Sequence, residues 1–94
     1  MKRIRVTAEL AKFITSLHPT LKRKLKASFR ILMDDPHAGK ALKEELSGLW
    51  SYRIGRIRVI YRLGKRDVLE IVAIGPRARI YEDTFRLIQR DQKK

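Results

Sequence analysis

Apolar and polar positions change their period three times along this chain. Lys2 to Val6 alternates, with Ile4 and Val6 on one side and Arg3 and Arg5 on the other, which predicts a short strand. Thr7 then stands where a helix N-cap is wanted, and Glu9 falls favourably in the first turn. Leu10, Phe13, Ile14 and Leu17 sit at i, i+3, i+4 and i+7, the stripe of an amphipathic helix. His18-Pro19 interrupts it, and Pro19 suits the first turn of a second helix. There Leu21, Leu25, Phe29 and Leu32 form the inward stripe, while Lys22, Arg23, Lys26 and Arg30 lie on the outer sides. Asp34-Asp35-Pro36 stops this helix, because proline pushes the residue before it out of the helical region. So short a link between the helices predicts an antiparallel hairpin.

After residue 48 the period becomes 2. Trp50, Tyr52 and Ile54 alternate with Ser51 and Arg53; Ile57, Val59, Tyr61 and Leu63 alternate with Arg58 and Arg62. Gly64 to Asp67 reads as a turn, and Val68 to Ile74 as a central strand that is nearly all apolar. Gly75-Pro76 ends that strand. From Ile80 to Ile88 helical spacing returns, with Tyr81, Phe85 and Ile88 on one side and Glu82-Asp83 near the start. Asp91 to Lys94 reads as a frayed tail. The order is β-α-α-β-β-β-α, an α+β class: an N-terminal strand and two-helix hairpin, a three-stranded antiparallel meander and a C-terminal helix. The pattern assigns the first strand no neighbour.

Gly55-Arg56 between two alternating runs matches a two-residue hairpin loop with glycine first, the type II′ preference. Folding there sets Ile54 opposite Ile57, Arg53 opposite Arg58, Tyr52 opposite Val59 and Trp50 opposite Tyr61. The aromatic and aliphatic members share the core face, and Arg53 and Arg58 share the other. Opposed like charges are unfavourable, whereas an opposite-charge pair contributes about 0.2–1 kcal/mol. Two readings account for the arrangement. The arginines lie on a solvated face and cover it with their stems, or a phosphate sits between two guanidiniums whose forked donors match its oxygens.

Charge favours the second reading. The 94 residues carry 23 Lys and Arg against 10 Asp and Glu, a formal net charge of +13. The excess is spread through every element and calls for a polyanion, nucleic acid first. The length fits one domain over residues 1–94. With no cysteine, neither a disulfide nor a thiolate metal site reinforces it. Charges at Lys2, Arg3, Arg5, Glu9 and Lys12 leave no apolar run suited to a signal peptide or membrane span, so a soluble intracellular protein is expected.

Candidates for acid–base work are few. His18 and His37 flank helix ends and read as loop or capping residues, and Asp34-Asp35 and Glu44-Glu45 are adjacent pairs whose side chains diverge, so no metal-ligand set emerges. No glycine-rich phosphate loop is present. Gly75 to Tyr81 joins the third meander strand to the last helix, a junction of the kind that carries sites. Tyr81, sharing a stripe with Phe85, reads equally as core and as site.

The blocks "LKEELSGLWSYRIGRIRVIYR" and "IVAIGPRARIYEDTFRLI", in a basic chain opening with two helices, resemble the RelE/ParE superfamily of type II toxins over nearly the whole length. The resemblance implies a toxin held inactive by a cognate antitoxin. RelE-like members are ribosome-dependent endoribonucleases that cut mRNA in the ribosomal A site, without metal or other cofactor; ParE-like members inhibit DNA gyrase. By position, the catalytic residues of the RelE type fall on Arg53, Arg58, Arg77 and Tyr81. RNA-backbone contacts would then come from Lys22, Arg23, Lys26, Arg30, Arg56 and Arg79. A cytoplasmic location and no membrane partner follow. This chain departs from the RelE pattern at three places: Arg53 stands where lysine is expected, Gly55 stands where a second lysine is expected, and the helical tail after Tyr81 runs longer. Tyrosine ordinarily titrates near 10 and arginine above 12, far from the near-neutral range of an efficient general base. Electrostatics and imposed geometry would carry the reaction. A gyrase inhibitor without nuclease activity and an inactive nucleic-acid-binding relative are the alternatives.

Overall fold

Local chemistry sets the ends of the helices in the computed structural model, which describes residues 3–92. After β1 (Arg3–Arg5), Thr7 caps α1 (Ala8–Thr15) by accepting the Leu10 N–H on its hydroxyl at 3.1 Å. His18 does the same for α2 (Pro19–Asp34): its Nδ1 accepts from Thr20 N–H at 3.2 Å, and Pro19 occupies the first turn. Both capping expectations hold. A two-residue strand, β2 (Lys40–Ala41), and a short 3-10 turn at Glu44–Leu46 precede β3 (Leu49–Ile54), β4 (Ile57–Leu63) and β5 (Val68–Pro76). The last described element is α3 (Ile80–Gln92), which continues through Asp91, where fraying was expected. Lys2, expected to open the first strand, and Lys93 and Lys94 of the expected tail lie outside the described residues.

The strands form one sheet in the order β1-β5-β4-β3-β2. β1 runs parallel to β5, and all other pairs are antiparallel. The meander is therefore extended at both edges, by a first strand whose neighbour no periodicity reveals and by β2, too short to show alternation. The β3–β4 hairpin has the expected register: Arg53 opposes Arg58, Tyr52 opposes Val59 and Trp50 opposes Tyr61. Gly55 has φ +60°, and Arg56 does not share the positive φ, as a type II′ turn requires.

Alternation divides the core in two. On one face Ile54, Val59, Tyr61, Leu69, Ile71 and Ile74 pack under α2 through Leu25 and Leu32. Leu10, Ile14 and Leu17 of the first stripe join at the margin, but Phe13, one step round the short α1, remains 41% exposed beside a groove. On the other face Leu49, Ile60 and Ala73 pack against Ile80 of α3. A bulge assists: Ile60 pairs with Ala73 but Tyr61 pairs with Ile71, so Val72 is extra and joins Ala73 in the second core. Tyr61 is fully buried and pins the loop after α2, its hydroxyl donating to the Pro36 carbonyl at 2.7 Å and accepting from Gly39 N–H at 3.1 Å. No helix among the described residues is long and apolar enough to cross a membrane.

Candidate functional site

The face of the sheet that carries α3 is also the arginine face. Alternation along β3 puts Ser51 and Arg53 there, and along β4 it puts Arg58, Ile60 and Arg62 there. The type II′ turn brings Arg53 and Arg58 side by side, and β5 delivers Arg77 to the turn from the third side. The Arg77 N–H donates to the Arg56 carbonyl at 2.9 Å, tying the segment after β5 to the hairpin tip.

Arg53, Arg56 and Arg77 line one depression of about 540 Å³, with Gly55, Pro76 and Ala78 completing its walls. All three arginines are exposed, and none pairs with a carboxylate among the described residues. Arg53 is steadied through its Nε, which donates to the Gly55 carbonyl at 3.2 Å. Three permanent positive charges thus face one open hollow with no carboxylate beside them among the described residues.

Arg58 behaves differently from its neighbour. It turns inward, and Nη1 donates to the Ser51 hydroxyl at 2.9 Å. Its Nε is buried with no hydrogen-bond partner. The Tyr81 hydroxyl donates to the same Ser51 oxygen at 3.3 Å, and the Arg58 guanidinium lies 5.9 Å from the centre of the Tyr81 ring. Tyr81, read from the sequence equally as core and as site, lines a separate hollow with Lys40 and Leu46, apart from the depression at the turn. It is half-buried at the edge of the second core, yet its hydroxyl belongs to the arginine cluster.

Ser51 is the residue that sequence reasoning missed. It is only 2% exposed and joins the two side chains expected to act together. Its signal was present in the register. Ser51 stands two residues before Arg53 on the same face, hence diagonal to Arg58, and a small hydroxyl between arginines on a covered face needs partners.

The remaining expected contacts divide. Arg56 lines the depression and Arg79 is exposed on the link between β5 and α3. Lys22, Arg23, Lys26 and Arg30 belong to α2, which packs on the opposite face of the sheet. Lys22 donates to the Thr15 carbonyl at 3.1 Å, closing the corner between α1 and α2. These four do not converge with the arginine face, because the helix spacing that turns them outward from the core also turns them away from the far side of the sheet. His37 lies edge-on to Trp50 at 5.0 Å, apart from the cluster. Among the described residues no three of His, Asp and Glu stand close enough to hold a metal ion.

Comparison with known proteins bears on this geometry. No curated protein matches the chain significantly. Among solved structures, a chain of the RelBE2 toxin–antitoxin complex of Mycobacterium tuberculosis is 27% identical, with 80% of this chain and 96% of that one covered and a TM-score of 0.69. A chain of the archaeal RelE–RelB complex of Pyrococcus horikoshii is 28% identical, with 82% and 96% covered and a TM-score of 0.66. Escherichia coli RelE, as a free double arginine-to-alanine mutant, shares the fold at 16% identity, with 90% and 95% covered and a TM-score of 0.70. Residues 4–81 match the family model for the ParE toxin of the type II toxin–antitoxin system parDE. A five-stranded sheet with α3 on its arginine-bearing face, and a match over most of the length, lead to one conclusion: the chain belongs to the RelE/ParE superfamily of type II toxins.

Proposed function

We propose that this toxin is a ribosome-dependent endoribonuclease of the RelE kind, acting in the cytoplasm on mRNA in the ribosomal A site. One observation supports the reading: Arg53, Arg56 and Arg77 line an open depression at the hairpin tip, and Arg58, cross-strand from Arg53, shares the Ser51 hydroxyl with Tyr81. The ribose 2′-OH attacks its own 3′ phosphorus and loses its proton. The O2′–P bond forms as the P–O5′ bond breaks, and the departing O5′ takes up a proton, leaving a 2′,3′-cyclic phosphate and a 5′-OH.

Arg53 and Arg77 bind the non-bridging oxygens, where charge builds in the transition state. Arg58 adds a positive field from behind, and Tyr81 orients the 2′-OH or stacks on a base. Arg56 and Arg79 hold the flanking backbone. The cluster holds no histidine or carboxylate, so rate depends on charge stabilisation and on a ribosome that holds the nucleophile in line. Free RNA is accordingly a poor substrate. The partner that silences the toxin is a cognate antitoxin; the M. tuberculosis and P. horikoshii chains were both seen in toxin–antitoxin complexes.

The test is primer extension on mRNA in a cell-free translation system. The parent protein produces codon-positioned cuts, and Arg77→Ala lowers their rate by about 10²–10³. Undiminished cutting by Arg77→Ala overturns the assignment. The family-model match favours a second reading, a gyrase poison of the ParE kind. Inhibition of gyrase supercoiling by a chain that leaves translated mRNA intact would establish that reading instead.

A further inference from the structure

A second basic cluster lies at the other end of the sheet. Arg3 and Arg5 of β1, Arg62 at the end of β4, and Lys65 and Arg66 in the following turn line a cleft of about 720 Å³, with Leu63, Gly64, Val68 and Glu70 as its remaining walls. Arg62 stands four residues along β4 from Arg58, about 13 Å at the rise of an antiparallel strand. The cleft is therefore separate from the depression at the Gly55-Arg56 turn, and the two share no lining residue.

Its charge is uncompensated by design of the turn. Glu70 is the one acid in the wall, and its carboxylate is already held by Arg62 at 2.9 Å. Gly64 makes room for that carboxylate, since a Cβ there would come within 2.6 Å of Glu70 Oε1 and 3.0 Å of the Val68 carbonyl. Asp67, beside Arg66, makes no ion pair among the described residues. Arg3, Arg5, Lys65 and Arg66 are thus left exposed and without a carboxylate partner among the described residues. Arg66 also holds φ 59° and ψ 37°, the left-handed region where glycine or asparagine is the easier choice. Neither folding nor turn geometry asks for arginine at this place.

We propose that this cleft is a second phosphodiester-binding site, one that grips the backbone of a nucleic-acid double helix. Three of the four free cations are guanidiniums, suited to bidentate contact with phosphate oxygens. Arg3 and Arg5, two residues apart on one strand, project from the same face with their backbone positions about 6.6 Å apart, a spacing that suits successive phosphates. The walls hold no aromatic side chain, so there is no platform on which unpaired bases could stack. Only Leu63 and Val68 are apolar, too little to hold an acidic peptide by its side chains. Binding is therefore blind to sequence and steeply salt-dependent. The proposal stands apart from the cleavage reading and is tested by binding alone.

Fluorescence anisotropy with fluorescein-labelled RNA and DNA duplexes of one sequence, over a KCl series, provides the test. In one full-length variant Arg3→Gln, Arg5→Gln, Lys65→Gln and Arg66→Gln are combined. In a second, Lys12→Gln, Lys24→Gln, Lys40→Gln and Lys43→Gln remove the same net charge from exposed positions elsewhere. We expect the first to lose roughly tenfold or more in affinity and to lower the salt slope by about 3. The second loses less than about threefold, as a diffuse field effect. Lysine in place of Arg3, Arg5 and Arg66 keeps most of the slope, which separates lost contacts from a damaged fold. The tighter duplex identifies the source as RNA or DNA. Equal losses in the two glutamine variants, absence of duplex binding by the parent, or displacement of the duplex by polyglutamate at equal charge would each overturn the proposal.

Discussion

Ser51, Tyr61 and Gly39 show how single atoms hold the site in shape. Ser51 accepts from both Arg58 and Tyr81 in a nearly water-free position. Ser51→Ala leaves a second guanidinium nitrogen of Arg58 unpaired, at about 1–3 kcal/mol of stability. It should slow mRNA cleavage while ribosome co-sedimentation stays unchanged; loss of both together would mean that Ser51 only supports the fold. Behind it, burial pushes the Tyr61 phenol above its ordinary value, against the opposing effect of the Gly39 N–H. The neutral form is thus favoured when folded, and the folded chain keeps a proton that the unfolded chain releases near pH 10. Stability from this group is complete below about pH 10 and is lost as pH rises through the raised folded value. Urea melts at alkaline pH should show that fall in the parent and lack this component in Tyr61→Phe. At neutral pH the same variant costs about 1–3 kcal/mol, because the Pro36 carbonyl and Gly39 N–H lose their partner.

At the scale of elements, the β3–β4 hairpin sets the positions of Arg53, Arg56 and Arg58 together. Gly55 holds φ +60° with nothing within 4 Å of a would-be Cβ, so Gly55→Ala meets only the conformational penalty, about 1–2 kcal/mol. Gly39 presents the opposite case. A Cβ there would lie 2.5 Å from the Tyr61 hydroxyl and 2.8 Å from the Ser51 carbonyl, so Gly39→Ala should destabilise more than Gly55→Ala. Urea midpoints in the reverse order would contradict this account. The hairpin was legible because glycine at the turn and strict alternation on both sides admit one register. β1 was legible as a strand but not in its place, since pairing with β5 is parallel and reached across two helices. β2, two residues long, carried no periodic signal at all.

For the molecule as a whole, the net charge of +13 meets only two ion pairs among the described residues, Arg62–Glu70 and Arg86–Glu82. Repulsion therefore outweighs attraction in the folded state. Added KCl, which shortens the Debye length from about 30 Å at 0.01 M to about 8 Å at 0.15 M, should raise the melting temperature by a few degrees. A fall would mean that attractive pairs dominate.

What the order of residues determined by itself was local: periods of 3.6 and 2, the caps at Thr7 and His18, the turn at Gly55, and hence which side chains share a face. Those rest on interactions within a few residues, or across one tight turn. The sharing of Ser51 between Arg58 and Tyr81, 30 residues apart in the case of Tyr81, was decided only when α3 packed on the arginine face. So was the removal of the α2 cations to the opposite side, and the meeting of β1 with the turn after β4. Each depends on which layer covers which face, and that is settled by burying two apolar surfaces at once, a condition that no short stretch of sequence contains.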